Sequence, residues 1–375
     1  MDDIKRGIER MVAFIFFLYV CFIVWLIWGL SKKKSGTEAT VLPYVSVVIA
    51  FRNESINLVR IFDCLEKQKF PMERFEIIFV NDHSSDNGEF LLKERILLSN
   101  LNSRIVALTD RTGKKSAIEL GLTEANNDII VTVDADCRMN QYWLAAMTKR
   151  FKSEEVSMVL GPIILEGKQG VFDHIQVTEF STLMGMTMAT ANNGRPILSN
   201  GANCAFRRRE FLENNPYSEN RKVETGDDIF LLHSLKKAAR TEIEFCNELD
   251  ALVKTSTKTT LSSFLSQRLR WASKTKNYKD IDTLWMGALL FAINLSVLIV
   301  FINMLLRNIP FEKLGLIFLF KWILDLLFLQ RVPIWLRPDK IIFSSFFLSI
   351  VYPFYSVGIA LLSLFYKPNW KGRKI

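Results

Sequence analysis

The sequence predicts an α/β domain built on a mixed, mainly parallel sheet and held between N-terminal and C-terminal transmembrane helices. Three observations lead there. Residues 11–30, 284–306 and 341–366 are uncharged apolar runs of the roughly 20-residue length that a ~30 Å hydrocarbon layer requires. Between them, residues 44–133 alternate short Val- and Ile-rich runs with helical patterns, the signature of strands joined by crossover helices. Basic residues crowd beside the apolar runs, at Lys32, Lys33 and Lys34 and again from Lys367 to Lys374, as they do on the cytoplasmic side of a membrane and against anionic head groups.

The bulk numbers agree. A chain of 375 residues with 49% hydrophobic content and 29 Phe has room for one sizeable domain plus membrane elements, or for two ordinary domains. The net charge of +9 does not point to nucleic acid, because the excess sits next to the apolar runs. Five Cys (Cys21, Cys64, Cys137, Cys204, Cys246) stand singly. An odd count without paired spacing is no disulfide framework and fits a reduced, cytosol-facing domain. The three His (His83, His174, His233) lack the spacing of a zinc site.

Four segments follow. Residues 1–43 form an anchor and linker, 44–259 the cytosolic domain, 260–283 an interfacial helix and 284–375 a C-terminal membrane region. Met11–Leu30 reads as a retained anchor rather than a cleaved leader. It is long, carries Trp25 and Trp28 near one end, precedes the Lys triplet and lacks a small-x-small cleavage site. Lys32 to Thr40 is a polar linker. Strands are expected at Val45–Phe51, Phe75–Val80, Arg104–Leu108 and Asp128–Val133, with helices near 55–68, 86–99 and 114–125. In such a sheet ligands gather at the carboxyl edge.

Residues 260–276 form an amphipathic helix with Leu261, Phe264, Leu265, Leu269 and Ala272 on one face and Gln267, Arg270 and Lys274 opposite. From Ala251 to Lys279 there are seven basic residues and no acid, which places this helix at a membrane surface. Lys321 and Asp325 interrupt the apolar stretch Leu314–Leu329, four residues apart and able to pair. Both a neutralising pair and a role in acceptor passage fit them. Three full spans after a cytosolic domain put the tail outside, whereas the charges of 331–340 and of the tail put both inside. Ile341–Tyr366, with Pro353 within it, is then re-entrant or interfacial.

Five short elements carry chemistry. In Val131-Thr132-Val133-Asp134-Ala135-Asp136 a buried strand delivers two carboxylates at i and i+2, on one side by strand alternation. Such a pair suits Mg²⁺ or Mn²⁺ shared with phosphate oxygens. In Val80-Asn81-Asp82-His83-Ser84-Ser85-Asp86, Asp82 can accept from a base or ribose, while Ser85 or Asp86 can simply cap the next helix. Arg111-Thr112-Gly113-Lys114-Lys115-Ser116-Ala117 opens a helix whose free N–H groups and Lys114 suit a nucleotide; solvated surface lysines fit the same residues. Glu224-Thr225-Gly226-Asp227-Asp228 sets an acidic pair at a helix start, which the helix dipole favours in any case. A carboxylate there can also act as a general base, and Asp228 is the candidate. In Gln267-Arg268-Leu269-Arg270-Trp271, Arg270 can grip a diphosphate bidentately, and Trp271 can meet a sugar or the membrane interface.

In this order the five elements resemble the family 2 glycosyltransferases, over residues 44–275. Ala50-Phe51-Arg52-Asn53-Glu54 closes the first strand as is usual there, and Gly201-Ala202-Asn203-Cys204-Ala205-Phe206-Arg207 resembles that family's acceptor-side segment. The Gln-x-x-Arg-Trp spacing resembles the membrane-integrated branch, among cellulose, chitin and hyaluronan synthases and ceramide glucosyltransferases. The resemblance implies a nucleotide-sugar-binding, glycosyltransferase A-type fold and a metal-dependent, inverting hexosyltransferase. Its donor contacts would come from Ala50, Arg52, Glu54, Asp82, Lys114, Asp134, Gln267, Arg270 and Trp271. Asp82 would bind uridine, Asp134 the ribose or diphosphate and Asp136 the metal. Asp228 would be the base, with Asp227 and Arg270 beside it in catalysis. Asp227 stands where the family usually has Glu, and Asn81 where many members have an acid. Single transfer to a lipid or other membrane-presented glycan acceptor at a bacterial inner membrane is expected, with a processive polysaccharide synthase and a catalytically silent membrane scaffold as the alternatives.

Overall fold

A computed structural model describes residues 2–32, 41–167, 170–220, 226–238, 241–308, 310–366, 369–370 and 373–374. Lys33, Lys34, most of the expected linker, Glu224, Thr225 and Lys367 lie outside the described residues.

The chain opens with helix α1 (Asp2–Ser31), followed by β1 (Val45–Phe51), α2 (Ser55–Glu66), β2 (Phe75–Asn81), α3 (Gly88–Leu97), β3 (Ser103–Ala107), α4 (Lys114–Glu124) and β4 (Ile129–Val133). The strands β1 to β4 and the helices α2 to α4 each lie within two residues of their expected bounds, whereas α1 begins nine residues before the expected Met11. The reason is local: runs such as Val45-Ser46-Val47-Val48-Ile49 are too apolar and β-branched for anything but a strand buried on both faces. Val45, Val47, Ile49 and Phe51 face one core and Val48 the other.

Next come β5 (Arg138–Met139), α5 (Trp143–Thr148), β6 (Val156–Leu160), β7 (Ile163–Glu166) and α6 (Val171–Asn192). The domain closes with β8 (Asn203–Arg207), α7 (Arg208–Asn214), α8 (Asp227–Lys237), β9 (Glu242–Phe245) and β10 (Val253–Ser256). The main sheet has seven strands in the order β3-β2-β1-β4-β8-β6-β9. Pairing is parallel from β3 to β4 and between β6 and β9, and antiparallel on both sides of β8. The reversed β8 brings Asn203 opposite Val133, so the segment before β8 meets the carboxyl end of β4. A small sheet, β5-β10-β7, leans on the same edge.

The last four helices are α9 (Leu261–Ser273), α10 (Ile281–Leu305), α11 (Phe311–Leu329) and α12 (Ile341–Ser363). Among the described residues, three helices are long and apolar enough to cross a membrane: Glu9–Ser31, Ile281–Leu305 and Ile341–Ser363. α12 runs unbroken through Pro353. In α11, Lys321 Nζ and Asp325 Oδ2 pair at 2.7 Å, and Tyr19 of α1 donates to the same carboxylate, so the neutralising-pair arrangement is formed.

α6 joins the two halves. It packs on α1 and α12 as well as on β7. At Gly29 the α1 backbone comes so close to α6 that a Cβ would stand 2.3 Å from the Ala189 carbonyl oxygen. Asn193 Nδ2 donates to Trp25 O at 2.9 Å and Asn192 Nδ2 to Gly29 O at 3.1 Å. The hydrophobic core accordingly runs without a break from the sheet into the helices.

Buried Glu76 ties the amino ends of the strands together. It accepts from Ser46 Oγ (2.6 Å), Arg104 Nη1 (2.6 Å) and the Asn126 N–H (2.7 Å). Burial pushes its carboxyl up, but these hydrogen bonds outweigh that and hold it below its ordinary 4.5. A depressed carboxyl stabilises the fold fully above its unfolded value, and that contribution fades as pH falls through the lower folded value. Glu76→Gln should therefore lower the thermal midpoint of the detergent-solubilised protein at neutral pH. It should also flatten the loss of wild-type stability below about pH 4.5. An unchanged acid slope in the variant contradicts this role.

Candidate active site

The cavity lies where β4, the segment before β8, α8 and α9 converge. It has a volume of about 130 Å³ and is lined by Lys114, Asp134, Asp136, Asp227, Asp228, Gln267, Arg270, Trp271 and Lys274, with Gln176 and Phe180 of α6. Residues as far apart in sequence as Lys114 and Lys274 thus meet in one chamber.

Asp134 and Asp136 both line it, though not by strand alternation. β4 ends at Val133, and the pair sits in a turn closed by Cys137 N–H donating to Asp134 O at 3.0 Å. The turn, rather than the pleat, makes the carboxylates converge. The Asp134 side chain is 38% exposed, so it is open to a ligand.

Lys114, the first residue of α4, is no solvated surface lysine. Its Nζ lies 2.7 Å from Asp134 Oδ1 and 3.3 Å from Asp227 Oδ2. Burial disfavours its charge, but Asp134, Asp227 and Asp228 more than compensate and raise its pKa. Burial likewise pushes the Asp227 carboxyl up, yet Lys114 and Lys274 outweigh it and hold Asp227 below its usual range. Lys114 and Asp227 keep one another ionised. Asp228 accepts from Gly201 N–H at 3.1 Å and Ile229 N–H at 2.8 Å, with Lys274 Nζ at 3.7 Å.

α9 lays Gln267, Arg270 and Trp271 along the opposite wall. Burial pulls the Arg270 guanidinium below its usual pKa, partly offset by Asp134, Asp227 and Asp228. The buried residues of α9 are Phe264 and Arg268, while Leu261 is 61% exposed. The protein-facing side of this helix therefore carries a charge that the apolar wheel does not reveal.

The other residues expected to contact the donor are outside the lining of this cavity. Ala50, Arg52, Glu54 and Asp82 sit at the ends of β1 and β2, and none lines the described cavity. β1 pairs directly with β4, and β2 lies one strand further out. Arg52 Nη1 donates to Asp82 O (2.8 Å) and His83 O (3.0 Å), Glu54 accepts from Asn57 Nδ2 (2.6 Å), and buried Asp82 accepts from Gly113 N–H at 3.1 Å. Asp82 thus steadies the turn from which Lys114 projects. Lys274 and Gln176 were not anticipated. Lys274 carried a readable signal, four residues after Arg270 on the same helical face.

Among the described residues no group of three or more His, Cys, Asp or Glu could hold a metal ion. Two carboxylates from the protein with the remaining positions taken by phosphate and water is the usual pattern for Mg²⁺, and Asp134 with Asp136 meets it.

Residues 46–215 match the family model described as Glycosyl transferase family 2, and this segment carries that family's domain. The glycosyltransferase AglE of Haloferax volcanii is 25% identical over 122 residues, 32% of this chain and 40% of that protein. The poly-beta-1,6-N-acetyl-D-glucosamine synthase of Staphylococcus aureus is 28% identical over 155 residues, 41% of this chain and 37% of that protein. The chain thus spans about two fifths of the length of these curated relatives. Among solved structures, the mannosyltransferase PcManGT of Pyrobaculum calidifontis, in complex with GDP-Man and Mn²⁺, covers 95% of this chain and 86% of its own at a TM-score of 0.54 and 15% identity. The fold is that of the glycosyltransferase A-type α/β proteins, with apolar helices at both ends.

Gly201 offers a direct test of the chamber. A Cβ there would lie 2.8 Å from Asp227 Oδ2 and 3.3 Å from Lys114 Nζ. Gly201→Ala should force this pair apart and lower turnover at least about tenfold, since small misplacements at a reacting centre are costly, with little change in thermal midpoint. Turnover equal to wild type would mean that the contact carries no function.

Proposed function

We propose that this protein is an inverting glycosyltransferase that moves one sugar from a nucleotide-sugar donor, a UDP-sugar by the resemblance, to a lipid or glycan acceptor presented at the membrane. The supporting observation is the single chamber in which the Asp134/Asp136 turn, the Asp227/Asp228 helix start and the Gln267–Trp271 helix face one another, next to helices long enough to span a bilayer. The domain faces the cytoplasm in this reading.

Arg270 and Lys114 provide positive charge where the departing diphosphate develops negative charge, the largest single contribution in such reactions. Asp134 and Asp136 would hold a divalent cation, which would supply Lewis-acid stabilisation to the leaving group; the mannosyltransferase of similar fold is complexed with Mn²⁺ and GDP-Man. Asp228 takes the proton from the acceptor hydroxyl as its oxygen bonds to the anomeric carbon and the bond to the diphosphate breaks. A single base acting on the acceptor hydroxyl corresponds to one displacement with inversion. Trp271 offers its ring to the sugar or acceptor.

Purified protein in detergent, given a panel of nucleotide sugars with Mn²⁺ or Mg²⁺, should release nucleotide diphosphate from a restricted set. Asp136→Ala and Asp228→Asn should each stay folded and lose on the order of 10²–10³ in rate. Near-normal turnover in either variant removes that residue from the mechanism. The Staphylococcus relative favours a second reading, processive polymer synthesis. A ladder of long product from labelled donor would establish it in place of single transfer.

A further inference from the structure

We infer that Arg268, which lies outside the chamber, is a positioning residue that turns the Gln267 amide so that its N–H₂ group faces the donor; the inference rests on the reading of the chamber as a donor site. Arg268 is 4% exposed and Glu179 of α6 5%. Arg268 Nε and Nη2 both donate to Glu179 Oε2, at 3.0 and 2.7 Å. The other Glu179 oxygen accepts from Tyr355 OH of α12 at 3.1 Å. The guanidinium also lies against the rings of Phe264 and Trp271, with centroids at 4.6 and 4.2 Å. This group is fixed at every edge.

Its remaining nitrogen, Nη1, lies 2.7 Å from the Gln267 side-chain oxygen. A guanidinium has donors and no acceptor, so the amide atom facing it must be the oxygen. Consecutive helix residues do not face each other; the contact therefore depends on the Glu179 clamp rather than on helix geometry. With Oε1 engaged, Gln267 turns Nε2 away from Arg268. Gln267 lines the chamber, and no described protein group accepts from its Nε2. The side chain thereby becomes an obligate donor, suited to a diphosphate or sugar-hydroxyl oxygen and unsuited to a ligand N–H. Trp271 is held in place by the same guanidinium.

The test is a double-mutant cycle on kcat/KM and donor KM, with nucleotide diphosphate release as the readout. Gln267→Ala and Arg268→Lys should each lower kcat/KM on the order of 10–100-fold, the scale of a hydrogen bond to a charged group. Arg268→Lys should cost little more in the Gln267→Ala background. Arg268→Lys keeps a positive charge beside Glu179, and its thermal midpoint reports whether the fold survives. Losses that multiply, or a donor KM unchanged in Arg268→Lys, mean that Arg268 is merely structural and overturn the inference alone. Absence of release by the wild type with every nucleotide sugar removes the transferase reading and this inference with it.

Discussion

The chamber depends on one ammonium group. Lys114 Nζ stands between Asp134, at the end of a central strand, and Asp227, at the start of a helix roughly a hundred residues later. Without that charge, carboxylates from two parts of the chain would repel one another in a partly buried space, where Coulomb energies are several-fold larger than in water. Asp82 holds the turn that aims Lys114, and Gly201 leaves the room in which its contacts form. The sheet, the α4 helix start and α8 are thus registered on a single cation.

The remaining wall belongs to α9, which is held from behind by a different ion pair. Arg268 and Glu179 meet in a nearly dry setting. Such pairs repay their desolvation only when the geometry is good and the remaining donors and acceptors are satisfied, and here Tyr355 and Gln267 satisfy them. The chamber is consequently framed by two charge clusters: one within it, open to ligands, and one behind its wall, closed to them.

Much of this was legible in the sequence for a physical reason. The first four strands and three helices are specified by local apolar pattern, and their bounds follow from it. The apolar terminal helices are equally legible, because their long uncharged runs stand out from the rest of the chain. What depends on distant partners was not legible. Nothing local to Asn203-Cys204-Ala205-Phe206 announces that β8 runs antiparallel in a mainly parallel sheet. The convergence of Asp134 and Asp136 was anticipated but for the wrong local reason, since a turn and not strand alternation produces it. Arg268 stood in the middle of a motif, yet spacing alone cannot distinguish a solvated arginine from a buried one. Ala50, Arg52 and Glu54 sit at the end of β1, beside β4, and Asp82 at the end of β2, one strand further, yet none is in the cavity wall; which strand ends form that wall is a matter of strand order and side-chain direction, which the sequence does not state.

The seam between α1 and α6 has a mechanical consequence. Backbone meets backbone at Gly29, and two asparagines lock onto helix carbonyls without an intervening loop. α6 then continues to Phe180 and Gln176 in the chamber wall. No compliant joint separates the bilayer-length helix from that wall. Any tilt of α1 is therefore delivered as a lever movement to the chamber, so that the seat of this helix and the shape of the chamber form one mechanical unit.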